Sequence, residues 1–209
     1  MNKKINSILF KSHSIHTKDS VVLNWHTNPI EEFGVYAEAY HKAAVRLVTD
    51  YGTTGAVKDI EATPILFLYR HAFELYLKAF IIKGSKILKF SGQKRMSQKE
   101  IFKTHKLSRF TSYFEDIIHA AGWTWDMGIE GFKNKSDFEN LVQEFEKIDP
   151  DSYSFRYPTK TDGKDALPCH FTFNLSEFSH RIDPLLELLD GALSGLDDAL
   201  NYHYEAEQN

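Results

Sequence analysis

The segment from Pro64 to Gly84, PILFLYRHAFELYLKAFIIKG, constrains the fold more than any other part of the chain. Its apolar residues cover most of the circumference of a helix, which predicts a central helix buried on most sides. Before Lys83 at its end, four ionisable residues interrupt the apolar surface: Arg70, His71, Glu74 and Lys78. At about 100° per residue they fall in one arc of roughly 100°. This polar arc needs partners, because an unpaired charge is costly to bury.

Apolar residues at spacings of three and four predict four more helices. We expect them from Asn28-Pro29 to the residue before Gly52, from Thr104 to Ala121, from a capping box at Ser136–Glu139 to about Ile148, and from Asn174 or Ser176 to about Tyr202, with a kink or restart at Pro184. Between them, 52–62 is predicted as a loop, 87–102 as an exposed loop or small hairpin, 123–134 and 151–169 as irregular, and 170–173 as a short strand.

The composition fits one domain. The chain has 209 residues, of which 42% are hydrophobic and 14% aromatic, enough for a single core without stabilising cross-links. We place the core at about 28–202 and treat 1–27 as an N-terminal extension. A lone cysteine, Cys169, excludes an intramolecular disulfide. No secretory signal and no membrane span is recognisable, so we expect a cytoplasmic protein without a membrane partner.

The charges are unevenly distributed. The formal net charge is -4, yet the segment from Lys83 to Arg109 carries nine lysines and arginines and only one acidic residue, Glu100. Such a basic segment can bind a polyanion such as RNA. It can equally pair with the acidic C-terminal region of the same or another subunit, or serve solubility alone.

Common catalytic and cofactor motifs are missing. There is no GxGxxG, no GxxxxGK[ST], no GxSxG and no HExxH, and the spacing of His13 and His16 lacks a third metal ligand. We therefore expect neither a cofactor nor a metal.

The polar arc on the central helix has two interpretations. In one, Arg70, Glu74 and Lys78 form an ion-pair ladder at i,i+4 spacings on the one solvent-facing side of a bundle helix. In the other, the arc is a catalytic site for cleaving RNA without a metal, because histidine can transfer protons and arginine can neutralise a phosphate. The candidate catalytic residues are Arg70, His71, Glu74, His105 and Arg156, and the candidate substrate-binding residues are Lys78, Lys106, Arg109 and Tyr157.

Three segments carry a resemblance to a known family. YRHAFELYLKAFIIKG (Tyr69 to Gly84) followed by THKLSRF (Thr104 to Phe110) resembles the HEPN superfamily, the higher eukaryotes and prokaryotes nucleotide-binding domains. Its helices typically read (A/H)xELxLKAxLxxxG and then HxL. The later SFRYP (Ser154 to Pro158) is similar to a segment seen in many such proteins.

The resemblance implies an all-α up-and-down bundle of four or five helices with irregular loop insertions, and a homodimer with its cleft at the two-fold interface. It also implies either a metal-independent ribonuclease of a toxin or defence system, or a protein that binds nucleotides or serves as the inactive partner of a nucleotidyltransferase. An antitoxin is the other partner that it implies. Catalytic members carry an arginine followed by four to six residues and a histidine. None of the ten histidines here has that spacing.

Three functions therefore remain open from the sequence. The first is a HEPN-like protein that acts on RNA, as an endoribonuclease if it is an enzyme. The second is a non-catalytic module that binds a nucleotide, an RNA or a protein. The third is a structural dimerisation domain in which the polar arc is only an ion-pair ladder.

Overall fold

The computed structural model describes residues 18–23, 28–53, 59–90, 92–126 and 128–208. Within these residues a 3₁₀ turn at Pro29–Glu32 leads into six α-helices, and no strand is present. The helices are α1 (Phe33–Thr53), α2 (Asp59–Phe90), α3 (Gln98–Lys103), α4 (Ser108–Ala120), α5 (Lys135–Ile148) and α6 (Leu175–Gln208). They pack as a bundle, which confirms the predicted all-α class with six helices instead of about five.

The predicted central helix, α2, has more buried residues than any other helix of this bundle. Helix α2 contacts α1, α3, α4 and α6, and its middle part is buried around the whole circumference. Its aromatic residues join those of the other helices: Phe80 stacks on Phe114 of α4 with ring centroids 4.0 Å apart, and Phe73 meets Phe138 of α5 edge to face. The core is therefore arranged around α2.

The predicted ends of α2 are wrong. Pro64 lies inside the helix rather than at its first position, and the acidic Asp59 and Glu61 occupy the first turn, where they complement the helix dipole. Gly84 does not end the helix either. A Cβ atom at Gly84 would come within 2.4 Å of the Ile117 side chain on α4. This glycine therefore serves the close approach of two helices, and α2 continues to Phe90.

The predicted loop or hairpin at 87–102 is also wrong. Its first residues belong to α2, and its last ones form the short helix α3. Helix α3 begins with a capping box, in which the Ser97 hydroxyl accepts from the Glu100 amide and the Glu100 carboxylate accepts from the Ser97 amide. The predicted third helix begins at Ser108 instead of Thr104, so residues 104–107 form a short link between α3 and α4.

The remaining helix predictions agree with the structure to within a few residues. Helix α1 ends at Thr53, two residues beyond the prediction. The capping box of α5 is formed by Asn134 and Asp137, two residues before the predicted one. Asn174 caps α6, accepting from the Glu177 amide at 3.0 Å. The predicted strand at 170–173 is absent, and α6 includes Pro184 and extends past Tyr202 to Gln208.

The described helices contain no apolar stretch of the length that a bilayer crossing needs. His41, on the buried side of α1, is a packing residue whose Nε2 lies 2.8 Å from the Asp183 carboxylate of α6. The spacing of His13 and His16, and most of the proposed N-terminal extension, lie outside the described residues.

Candidate functional site

Arg70, Glu74 and Lys78 occupy successive turns of α2 and form a continuous ladder of ion pairs. The Arg70 Nη1 lies 3.1 Å from the Glu74 Oε2, and the Lys78 Nζ lies 2.8 Å from the Glu74 Oε1. This confirms the predicted pairing. The ladder does not lie on a solvent-facing side, however, because the three residues are only 0%, 1% and 4% exposed.

The segment between α3 and α4 covers this ladder. Arg70 donates from Nη2 to the backbone carbonyl of His105 at 2.8 Å, and the His105 Nδ1 lies 2.9 Å from the Glu74 Oε1. Burial alone would raise the pKa of Glu74, but the positive charges of Lys78, Arg70 and His105 outweigh it and hold that pKa below its usual value. Glu74 is therefore an ionised acceptor at neutral pH.

His105 is the one member of this network that reaches solvent, with a side chain 54% exposed. The ionised Glu74 can only accept a hydrogen bond, so the Nδ1 of His105 must donate it. In the neutral His105 ring the hydrogen is therefore on Nδ1, and Nε2 is the basic nitrogen. Its backbone is fixed as well, by the bond from Arg70. The arrangement gives an exposed imidazole a defined tautomer and orientation, and these are the properties that a carboxylate confers on a proton-transferring histidine.

His105 lines a cavity of about 520 Å³ between α3, the 104–107 link, the start of α4 and the loop after α5. We call it the basic cavity. Its lining is mainly cationic and consists of Lys99, Glu100, Lys103, Thr104, His105, Lys106, Arg109 and Asp151. No ion pair among the described residues involves its three lysines or its arginine. The Glu100 carboxylate is engaged by Ser97, with its Oγ at 2.6 Å. Within the described residues, the cavity thus presents four cations without an ion pair, together with the carboxylates of Glu100 and Asp151, around one oriented histidine.

His71 lies in a different environment from its neighbours in the polar arc. Its ring stacks on Phe67, with centroids 5.5 Å apart, and meets the Tyr40 ring of α1 edge to face at 4.5 Å. Burial lowers the pKa of His71. Nearby Glu74 acts against this shift, whereas the cations Lys78, Arg70 and Arg156 add to it. His71 is therefore a neutral ring in an aromatic stack at pH 7.

The nine candidate residues fall into three groups. The buried ladder contains Arg70, Glu74 and Lys78; the basic cavity contains His105, Lys106 and Arg109; the aromatic surroundings of Phe67 contain His71 and Arg156, with Tyr157 beside them. His105 connects the first two groups. His71 and Arg156 do not line the basic cavity, and the burial of Arg70 and Glu74 restricts them to positioning His105 in this conformation.

Lys99, Lys103 and Asp151 line the basic cavity but are not among the site residues predicted from the sequence. Lys99 and Lys103 are four residues apart on α3 and therefore share a face, and the S-x-x-E pattern at Ser97 was the signal for that helix. Asp151 carried no such signal, because it enters the cavity from a loop far away in sequence.

No group of three or more His, Cys, Asp or Glu side chains in the described part of the chain is arranged to hold a metal ion. Comparison of the chain with family models, with curated proteins and with solved structures found no match.

Proposed function

We propose that this protein binds RNA in the basic cavity and cleaves it without a metal ion, with His105 as the proton-transferring group. The observation that carries the proposal is the exposed His105 ring, held through Nδ1 by the buried Glu74 at the edge of a cavity with four unpaired cations. The resemblance of Tyr69–Gly84 and Thr104–Phe110 to HEPN proteins also supports an RNA-acting role, because these two segments contain Glu74 and His105.

The chemistry is an internal transfer within the RNA strand. The Nε2 of His105 removes the proton from a 2′-hydroxyl, whose oxygen then bonds to the adjacent phosphorus. The bond from phosphorus to the 5′-oxygen breaks, and that oxygen takes a proton from water. The hydroxide left behind takes the proton from the His105 imidazolium, which restores the neutral base. The products are a 2′,3′-cyclic phosphate and a 5′-hydroxyl. Lys106 and Arg109 neutralise the charge that develops on the phosphate, and Glu74 stabilises the imidazolium form of His105.

Incubation of the purified protein with RNA in EDTA tests this proposal. We expect the wild type to cleave RNA and leave 2′,3′-cyclic phosphate ends, and we expect His105→Ala to lose this cleavage. The control is His119→Ala, which removes an exposed histidine of α4 outside the basic cavity and should leave cleavage unchanged. RNA left intact by the wild type, or equal cleavage by both variants, would refute the catalytic part.

A second candidate function is RNA or nucleotide binding without cleavage. It is favoured by the lack of the Arg-to-His spacing of catalytic HEPN members and by the single histidine in the basic cavity. Binding that weakens in Lys106→Ala, with no product in EDTA, would select this candidate.

The expected homodimer, with an antitoxin or a nucleotidyltransferase as a further partner, belongs to the same proposal. Light scattering of the purified chain measures the first of these directly. A monomer at micromolar concentration would contradict the expected two-fold cleft, and the proposal that the basic cavity binds RNA would stand without it.

A further inference from the structure

A group of aromatic residues surrounds the Arg156 guanidinium, outside the basic cavity. Its central carbon lies 5.8 Å from the ring centroid of Phe67 on α2, 6.0 Å from that of Tyr153 and 5.7 Å from that of Tyr157. The two tyrosine rings lie 4.5 Å apart. We call these four residues the stacking platform. Such distances are within the range of cation–π contacts.

The backbone that carries this platform is held rigidly. The buried Asp149 accepts from the amides of Tyr153 at 2.6 Å and Ser154 at 2.7 Å. Ser152 adopts a left-handed conformation with φ 57°, which is unfavourable for a residue with a Cβ atom. The Ser152 carbonyl in turn accepts from the Arg156 Nε at 2.7 Å. The arginine is thus fixed in place without a carboxylate partner.

The platform is also open to solvent. Arg156 is exposed, and Tyr157 is 49% exposed. None of the ion pairs among the described residues involves Arg156, so its charge is not neutralised. The exposed guanidinium of Arg156 and the exposed ring of Tyr157 are planar groups on which a further planar group can stack.

The platform and the basic cavity are neighbours on the same side of α2. Phe67, Arg70 and Glu74 follow each other at helical spacing, and the seven steps from Phe67 to Glu74 correspond to about 10 Å along the axis. The loop after α5 contributes to both places, because Asp151 lines the cavity and Tyr153, Arg156 and Tyr157 form the platform. A single strand of a few nucleotides would therefore contact both.

We propose that the stacking platform binds an unpaired nucleobase of an RNA whose backbone lies in the basic cavity, so that the protein selects single-stranded over double-stranded RNA. This inference rests on the proposed function. Bases in a duplex present no free face because they are stacked within the helix, whereas unpaired bases can stack on aromatic side chains and on arginine.

Binding to three probes of equal length tests the inference, measured by fluorescence anisotropy. The probes are a 2′-O-methyl oligouridylate, which resists cleavage, the same strand in a duplex, and an abasic strand with the same phosphates. We expect the wild type to bind the oligouridylate about tenfold to a hundredfold tighter than the abasic strand. Tyr157→Ala should reduce this ratio at least about fivefold, and Tyr157→Phe should retain it. Tyr36→Ala is the matched control, because Tyr36 is a tyrosine on α1 with 52% exposure.

The outcomes separate the inference from the function on which it rests. If the wild type binds none of the probes, both are overturned. If it binds all three equally and Lys106→Ala weakens all of them, RNA binding stands and the platform is overturned. Full preference for the oligouridylate in a folded Tyr157→Ala protein would likewise overturn the platform. Circular dichroism of each variant establishes that it is folded.

Discussion

The ladder on α2 and the basic cavity are built from the same kinds of side chain in opposite environments. In the ladder, Arg70, Glu74 and Lys78 are buried, and the Glu74 carboxylate pairs with both cations. In the cavity, Lys106 and Arg109 are exposed and have no ion pair among the described residues. A buried charge has to be neutralised within the protein, whereas an exposed one remains available to a ligand. Charge alone therefore does not identify a binding residue. A charged residue is available to a ligand when it has no partner of opposite charge within the protein.

Removal of Glu74 should have the largest effect. Glu74→Ala leaves Arg70 and Lys78 buried without their common carboxylate, and we expect a loss of about 3–5 kcal/mol of unfolding free energy, or failure to fold. Urea unfolding followed by circular dichroism measures it. Glu38→Ala is the control, because it removes the carboxylate of an exposed i,i+4 pair with Lys42, and it should change stability by less than about 0.5 kcal/mol.

Replacement of the whole ladder sharpens this comparison. The triple variant Arg70→Met, Glu74→Leu, Lys78→Met removes all three charges together, so we expect stability within about 1–2 kcal/mol of the wild type or above it. A triple variant as unstable as Glu74→Ala would mean that the ladder stabilises the fold by more than the pairing of its charges.

Acid should weaken the ladder by a smaller amount. The folded pKa of Glu74 is lowered, so its contribution to stability is fully present above the unfolded pKa of about 4.3 and is lost as the pH falls through the folded value. We expect the wild type to lose more stability than the triple variant between about pH 5 and pH 3. Parallel losses in urea titrations of both proteins would show that other carboxylates dominate.

Removal of cavity charges should affect affinity and leave stability unchanged. For Lys106→Ala and Arg109→Ala we expect RNA binding about threefold to tenfold weaker at moderate salt, with the salt slope reduced by about 1 for each. Arg46→Ala, which removes an exposed arginine from α1, should change neither quantity. Equal weakening by all three would indicate a general charge effect instead of a site.

The smallest effect is expected at His71. His71→Phe keeps a flat ring between Phe67 and Tyr40, and the pKa of His71 is already lowered by burial, so the substitution removes little charge. We expect stability within about 1 kcal/mol and cleavage within about threefold of the wild type. A loss of cleavage equal to that of His105→Ala would assign proton transfer to His71 as well.

Predictions from the sequence were most accurate for features that depend on residues within a single helix. The periodicity of α1, α5 and α6 and the i,i+4 pairing of Arg70 with Glu74 depend on near neighbours, and these predictions are confirmed. The ends of α2 were wrong because Pro64 was interpreted as a helix start and Gly84 as a helix stop. Gly84 is required by Ile117, which lies 33 residues further along the chain.

The surroundings of the site could not be predicted in the same way. The burial of the ladder depends on the segment at 104–107, and the position of Arg156 depends on its packing over Phe67. Both contacts join segments that are distant in sequence, and no periodic pattern records them. His71 and Arg70 are neighbours in sequence but contact different groups: His71 packs against Phe67 and Tyr40, and Arg70 pairs with Glu74. Successive residues of a helix point in different directions and so meet different partners.

Helix α2 has 32 residues and is therefore about 48 Å long. Since α1, α4 and α6 all pack against it, its backbone amides cannot open without detaching most of the bundle. Their exchange with solvent deuterium should thus require global unfolding and report the stability of the whole protein. The six-residue α3, with Ile101 as its one buried residue, can open alone. We therefore expect the amides of the buried ladder to exchange most slowly and those of α3, which carries Lys99 and Lys103 into the basic cavity, to exchange faster.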